Sequence, residues 1–174
     1  MEKRCNLFLE RLTPRLDIQV DLNQSNQENN MKINNFGPKL TPTQIEILEA
    51  ETGILLPKDY REFLLICNGG IPNQDKNIVD IPEAPGSPTD VQVFFGIGRA
   101  VHSSDIKWNI TLIKERCSDD DLIPIACDSG GNIFCLRPNK DKHDVIYFDL
   151  DAPNPPCYFV ASSFSAFTEK LRSF

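Results

Sequence analysis

A chain of 174 residues, 40% hydrophobic and 25% charged, is long enough to bury a substantial core and has the make-up of an ordinary globular domain. Its net charge of −7 is concentrated, since residues 80–151 hold 13 carboxylates against 7 Lys or Arg. That argues against direct nucleic-acid binding and suits a basic protein partner.

Residues 2–12 predict a short amphipathic helix with Leu7, Phe8 and Leu12 towards one side. The brief Leu7-Phe8-Leu9 run is cut by Glu10, unlike a secretory signal, and no apolar run approaches the ~18 residues that cross a bilayer. A cytoplasmic protein without membrane contact is expected. Residues 23–30 are wholly polar and read as a linker, so residues 1–35 are expected to be an appendage and 36–174 the main domain.

Thr41 predicts a helix N-cap, Pro42 suits the first helical position, Gln44 completes a capping box, and Gly53 ends the helix. Ile45 and Leu48 begin its apolar stripe. A second helix follows Leu56-Pro57, with Tyr60, Phe63, Leu64 and Cys67 on one face and Asn68-Gly69-Gly70 as its stop. Residues 71–90, with four prolines, read as a long irregular loop. Val91–Phe95 reads as a strand ending in a Gly96-Ile97-Gly98 bend. Ser104 or Asp105 caps a helix along which Ile106, Ile110, Ile113 and Cys117 keep helical spacing.

Strands are expected at Ile123–Cys127, Asn132–Leu136, Val145–Leu150 and Tyr158–Ala161. A last helix capped near Ser162 or Ser163 would place Phe164, Phe167, Leu171 and Phe174 on one stripe. Short turns between strands indicate an antiparallel sheet, and the fold class is a single α+β domain with flanking helices.

Asp128-Ser129-Gly130-Gly131 matches the tetrapeptide around a protease nucleophile, but the chain has only His102 and His143 and no room for two barrels. Flanked by two strands, it reads as a hairpin turn. The six cysteines show no C-x-x-C spacing and are expected as reduced thiols, with Cys67, Cys127, Cys135 and Cys157 buried in apolar surroundings. Asp149 with Asp151, and Asp119-Asp120-Asp121, lack a calcium-loop pattern and read as loop acids. Gly96-Ile97-Gly98 lacks the third glycine of a dinucleotide fingerprint, since Val101 stands there. His102 and His143 read as exposed loop residues. Trp108, off the Ile106/Ile110/Ile113 stripe, reads as a contact residue or a core edge. No catalytic residue, metal ligand or cofactor site is expected.

The ordered set of motifs resembles the SUKH superfamily, in the branch with the fungal cell-wall-synthesis regulators of the Smi/Knr type. The matching runs are Leu40-Thr41-x-x-Gln44-Ile45, Glu51-x-Gly53, Leu56-Pro57-x-Asp59-Tyr60-x-x-Phe63-Leu64, Asn68-Gly69-Gly70 and Phe94-Phe95-Gly96-Ile97. They continue with Ile123-Pro124-Ile125-Ala126-Cys127-Asp128-x-Gly130-Gly131-Asn132, Val145-Ile146-Tyr147-Phe148-Asp149-x-Asp151 and Ser163-Phe164-x-x-Phe167. The resemblance implies a curved, mostly antiparallel sheet with helices packed around it. It also implies a protein-binding role: bacterial members look like immunity proteins that neutralise a toxin domain, frequently a nuclease, and fungal members act as hubs in cell-wall signalling. A basic toxin surface would then be masked by acidic loops. The contact residues expected from charge and loop placement are Glu83, Asp90, Asp119, Asp120, Asp121, Asp149 and Asp151, with Trp108 as anchor.

Overall fold

A computed structural model of the chain describes residues 20–21, 31–117, 121–139, 142–152 and 155–174. The expected helix at 2–12 and linker at 23–30 lie outside the described residues. Strand β1 (Val20–Asp21) pairs with β2 (Lys32–Asn34), which pairs in turn with β3 (Ile71–Pro72). Met31 and Ile33, which the sequence reading put in the appendage, are buried in the main core.

Helix α1 (Pro42–Thr52) starts on the capping box: Gln44 N–H donates to Thr41 Oγ1, and Thr41 N–H donates to Gln44 Oε1 at 2.9 Å. Gly53 closes it in the left-handed region at φ 73°. Helix α2 (Lys58–Cys67) buries Tyr60, Phe63, Leu64 and Cys67, the face read from their spacing. Glu49, buried on α1, ties the two helices together. One of its oxygens accepts from Leu56 N–H at 2.8 Å, and the other pairs with Arg61 of α2.

Residues 71–90 are more ordered than the proline content suggested. They hold β3, a 3-10 turn at Gln74–Lys76, and a pair formed by β4 (Ile78–Val79) and β5 (Thr89–Asp90). Prolines occupy positions that donate no ladder hydrogen bond, so short pairing survives around them.

The main sheet has the order β10-β9-β8-β7-β6 and is antiparallel throughout: β6 (Val93–Phe94), β7 (Ile123–Cys127), β8 (Ile133–Asn139), β9 (Lys142–Phe148) and β10 (Cys157–Ala161). The expected strand at 91–95 pairs over only two residues, and β9 stops at Phe148, leaving Leu150 in the turn beyond. Helix α3 (Ile106–Arg116) packs on β7, and α4 (Phe164–Lys170) packs on β9, β10 and α2.

Phe164 and Phe167 of α4 complete an aromatic core with Tyr60, Phe63, Phe94 and Phe134. Ring centroids lie 5.0 Å apart for Tyr60–Phe164 and Phe63–Phe164, and 5.1 Å apart for Phe134–Phe167. The α+β antiparallel architecture expected from the sequence is the one found.

Three sequence expectations are corrected. Phe174 is 98% exposed, because α4 ends at Lys170 and the chain turns away to pair Arg172 with Ile78 and to clamp Asp80. Cys157 is exposed at the start of the edge strand β10, whereas Cys67, Cys127 and Cys135 are buried. His143 is a half-buried strand residue in β9, and its burial holds the imidazole below the usual histidine range. The five described cysteines form no disulfides. No helix among the described residues is long and apolar enough to cross a membrane.

The Tyr60 hydroxyl is fully buried and has no hydrogen-bond partner among the described residues. Burial pushes its ionisation far above the usual tyrosine range and pushes the Cys67 thiol up to about 11. Both folded-state values are raised, so the stability they carry is complete below the unfolded values of 9.0 and 10.0 and is lost as pH rises through the folded ones. Tyr60→Phe removes an unsatisfied polar group. It should stabilise the domain by about 1 kcal/mol at neutral pH and soften the alkaline loss above pH 10, as read by urea denaturation. A destabilised Tyr60→Phe would mean that the hydroxyl has a partner after all.

Candidate functional site

Asp105 begins α3 as its N-cap. Its Oδ1 accepts from Lys107 N–H at 2.9 Å, and its Oδ2 accepts from Gly98 N–H at 2.8 Å and Arg99 N–H at 3.1 Å. One carboxylate thus fixes the helix start against the bend after β6. Asn109, which is buried, donates from Nδ2 to the carbonyls of Ser103 and Asp105. With Ile106, Ile110 and Ile113 buried against the sheet, Trp108, Leu112 and Arg116 recur at i, i+4 and i+8 on a second face.

Opposite that face stands the β7–β8 turn, Asp128–Gly131, where Gly131 adopts φ 90°. Asp128 is only 3% exposed and is held by neutral donors. Its Oδ2 accepts from Tyr147 Oη at 2.7 Å and Thr89 Oγ1 at 3.0 Å, while its Oδ1 accepts from Asn132 N–H at 2.9 Å. Burial, with Asp128 beside it, raises the Tyr147 ionisation well above the usual tyrosine range. Ser129 donates from both N–H and Oγ to the carboxylate of Asp90 in β5. The serine that resembles a nucleophile is therefore bound to a carboxylate in a turn, as its flanking strands suggested.

Between α3 and this turn lies a cleft of roughly 60 Å³. Trp108, Leu112 and Arg116 line it from the helix, Gly130 and Gly131 from the turn, and Asp151 from the turn after β9. No histidine is in the lining, and no cluster of three or more His, Cys, Asp or Glu among the described residues is placed to hold a metal ion. The cleft offers an apolar floor and two charged groups, Arg116 and Asp151.

The residues picked from sequence divide between this cleft and elsewhere. Trp108, half-buried, and Asp151, exposed, line it together. Asp149 stands beside Asp151 and accepts its N–H at 3.2 Å, and Asp90 anchors the neighbouring turn. Glu83 is exposed on the loop between β4 and β5, and Asp121 is exposed before β7; neither lines the cleft. Asp119 and Asp120 lie outside the described residues. Sequence reasoning missed Leu112 and Arg116, although their spacing from Trp108 carried the signal.

A model of the SMI1/KNR4 family (SUKH-1) matches residues 39–170. The SPbeta prophage-derived uncharacterized protein YokK of Bacillus subtilis (strain 168) is 28% identical over 146 residues, covering 75% of this chain and 74% of the relative. No solved structure matches the chain.

Proposed function

The chain belongs to the SMI1/KNR4 family (SUKH-1), and from that membership we propose that it is a non-enzymatic, cytoplasmic immunity protein that binds a cognate toxin domain and masks its active surface. The family match across residues 39–170 carries this reading. The similar protein YokK is bacterial and prophage-derived, which favours the toxin-binding role of bacterial members over the regulatory role of fungal ones. A nuclease is the toxin class that best suits a chain of net charge −7, because a nuclease presents a basic surface to phosphates. Trp108 and the acids Glu83, Asp90, Asp119, Asp120, Asp121, Asp149 and Asp151 are the candidate contacts.

Co-expression with its cognate toxin domain tests the reading. Cells should survive, and the two proteins should co-purify as a complex that weakens with added salt. Death of the co-expressing cells would overturn the immunity role. Recovery of several unrelated cellular partners would point instead to a regulatory interaction module.

A further inference from the structure

We propose that the cleft between α3 and the β7–β8 turn receives one lysine or arginine side chain of the basic partner, its stem lying on Trp108 and Leu112 and its charged head at Asp151. The partner's identity rests on the immunity reading; the side-chain chemistry rests on the cleft.

Volume decides the scale of the occupant. Roughly 60 Å³ admits the end of one side chain and is far below the several hundred Å³ of a cofactor pocket. The floor decides its character. Trp108 and Leu112 are half-buried, and the bare backbone of Gly130 and Gly131 lets a chain approach closely. A flat apolar surface beside an indole suits the methylene stem of a long basic residue, and the indole face attracts its cation.

Charge decides the sign. The Asp151 carboxylate has no ion-pair or hydrogen-bond partner among the described residues, Asp149 stands beside it on the turn after β9, and Asp90 of β5 holds the β7–β8 turn from behind. Arg116 is the one opposing charge in the lining. Its backbone sits two helical turns beyond Trp108, about 12 Å along the axis, and its side chain is exposed and makes no ion pair with Asp151, which leaves that carboxylate open to a cation from outside. The walls are already fixed, the helix start by Asp105 and Asn109 and the turn by Asp128, so binding orders little that is not ordered before.

Trp108 is the only tryptophan of the chain, so its fluorescence reports this cleft alone. Three end-blocked peptides, tri-arginine, tri-glutamate and tri-leucine, serve as probes of the full chain. Tri-arginine should shift the emission in a salt-sensitive manner, Asp151→Asn should weaken that response about fivefold or more, and Glu169→Gln on α4 should leave it unchanged. A response to tri-glutamate alone would assign the cleft to an anion at Arg116. Equal responses to tri-leucine would make it an apolar groove without charge preference. Either result, or no response to tri-arginine, overturns the proposal.

In the toxin complex, Trp108→Ala should weaken affinity about 30-fold, with Asp151→Asn as the milder variant that leaves the helix intact. Wild-type protection with both variants binding normally would overturn the cleft assignment and leave the immunity role standing. Failure of protection by the wild type would remove the immunity role, and the peptide titration would still decide the cleft.

Discussion

Gly96→Ala is expected to destabilise the domain by more than about 4 kcal/mol, a large share of the 5–15 kcal/mol that holds a typical domain folded. A methyl group at Gly96 would lie within 3.0 Å of the Asn68 backbone oxygen, 2.7 Å from Asn68 Oδ1 and 2.8 Å from the Asn68 carbonyl carbon. Neither partner is free to retreat. Gly96 donates to Ser104 O at 3.0 Å and accepts from Ile106 N–H at 2.9 Å, which locks it to the start of α3. Asn68 is buried, with its side chain donating to Pro38 O and Ile97 O and accepting from Ile97 N–H at 2.7 Å. Its backbone oxygen also takes bonds from Gly37 N–H and the Arg99 guanidinium. Relief of the clash must break part of this junction, where the end of α2, the end of β6 and the chain leaving β2 all meet.

Gly98→Ala is the comparison. Gly98 has φ 66° but, among the described residues, nothing lies within 4 Å of an added methyl group, so only the backbone penalty of about 1 kcal/mol applies. Urea denaturation of the two variants separates close packing from backbone preference. If Gly96→Ala proved no worse than Gly98→Ala, the junction would be looser than its distances indicate.

This junction marks where the sequence stopped being readable. Asn68-Gly69-Gly70 reads correctly as a helix stop and Gly96-Ile97-Gly98 correctly as a bend, because each signal is held within a few neighbouring residues. That Asn68 and Ile97, 29 positions apart, bond to each other is tertiary information with no local signature. The same division runs through the rest of the molecule. The Thr41–Gln44 capping box and the Tyr60/Phe63/Leu64 face follow from spacing alone, and the other two caps were placed to within one residue, with the structure selecting Asp105 over Ser104 and Ser163 over Ser162. The exposure of Cys157 and Phe174 depends on which strand becomes an edge and where α4 stops, and apolar character alone gave the wrong answer for both.

The candidate site was half legible for a related reason. Trp108 stood out as the residue off the buried stripe, and helical periodicity extends that face to Leu112 and Arg116. The facing wall comes from turns far along the chain, and charge counting could not tell Asp151, which reaches the cleft, from Glu83 and Asp121, which do not.

The turn that forms this wall is held by Asp128, and Asp128→Ala should destabilise the domain by about 3 kcal/mol or more. Asp128 is a buried carboxylate held by neutral donors: the hydroxyls of Tyr147 and Thr89, and both the N–H and the side-chain amide of Asn132. Charge-assisted bonds of this kind offset the loss of hydration, and removing the acceptor leaves several buried donors unsatisfied at once. Tyr147→Phe removes a single donor and leaves the carboxylate the others, so about 1 kcal/mol is expected from it. The double variant should cost clearly less than the sum of the two, because the Tyr147 hydroxyl is no longer there to be orphaned. Strict additivity would show that Tyr147 and Asp128 do not depend on each other, and a nearly neutral Asp128→Ala would show that the strands alone hold the turn. Because Gly130 and Gly131 lie two and three residues beyond Asp128 in the same turn, hydrogen exchange at the Gly131 amide, which donates to Asp128 O at 3.2 Å, should accelerate in Asp128→Ala before the rest of β7 and β8 opens. Loosening confined to that amide would connect the buried carboxylate to the shape of the cleft wall, and through it to whatever the cleft holds.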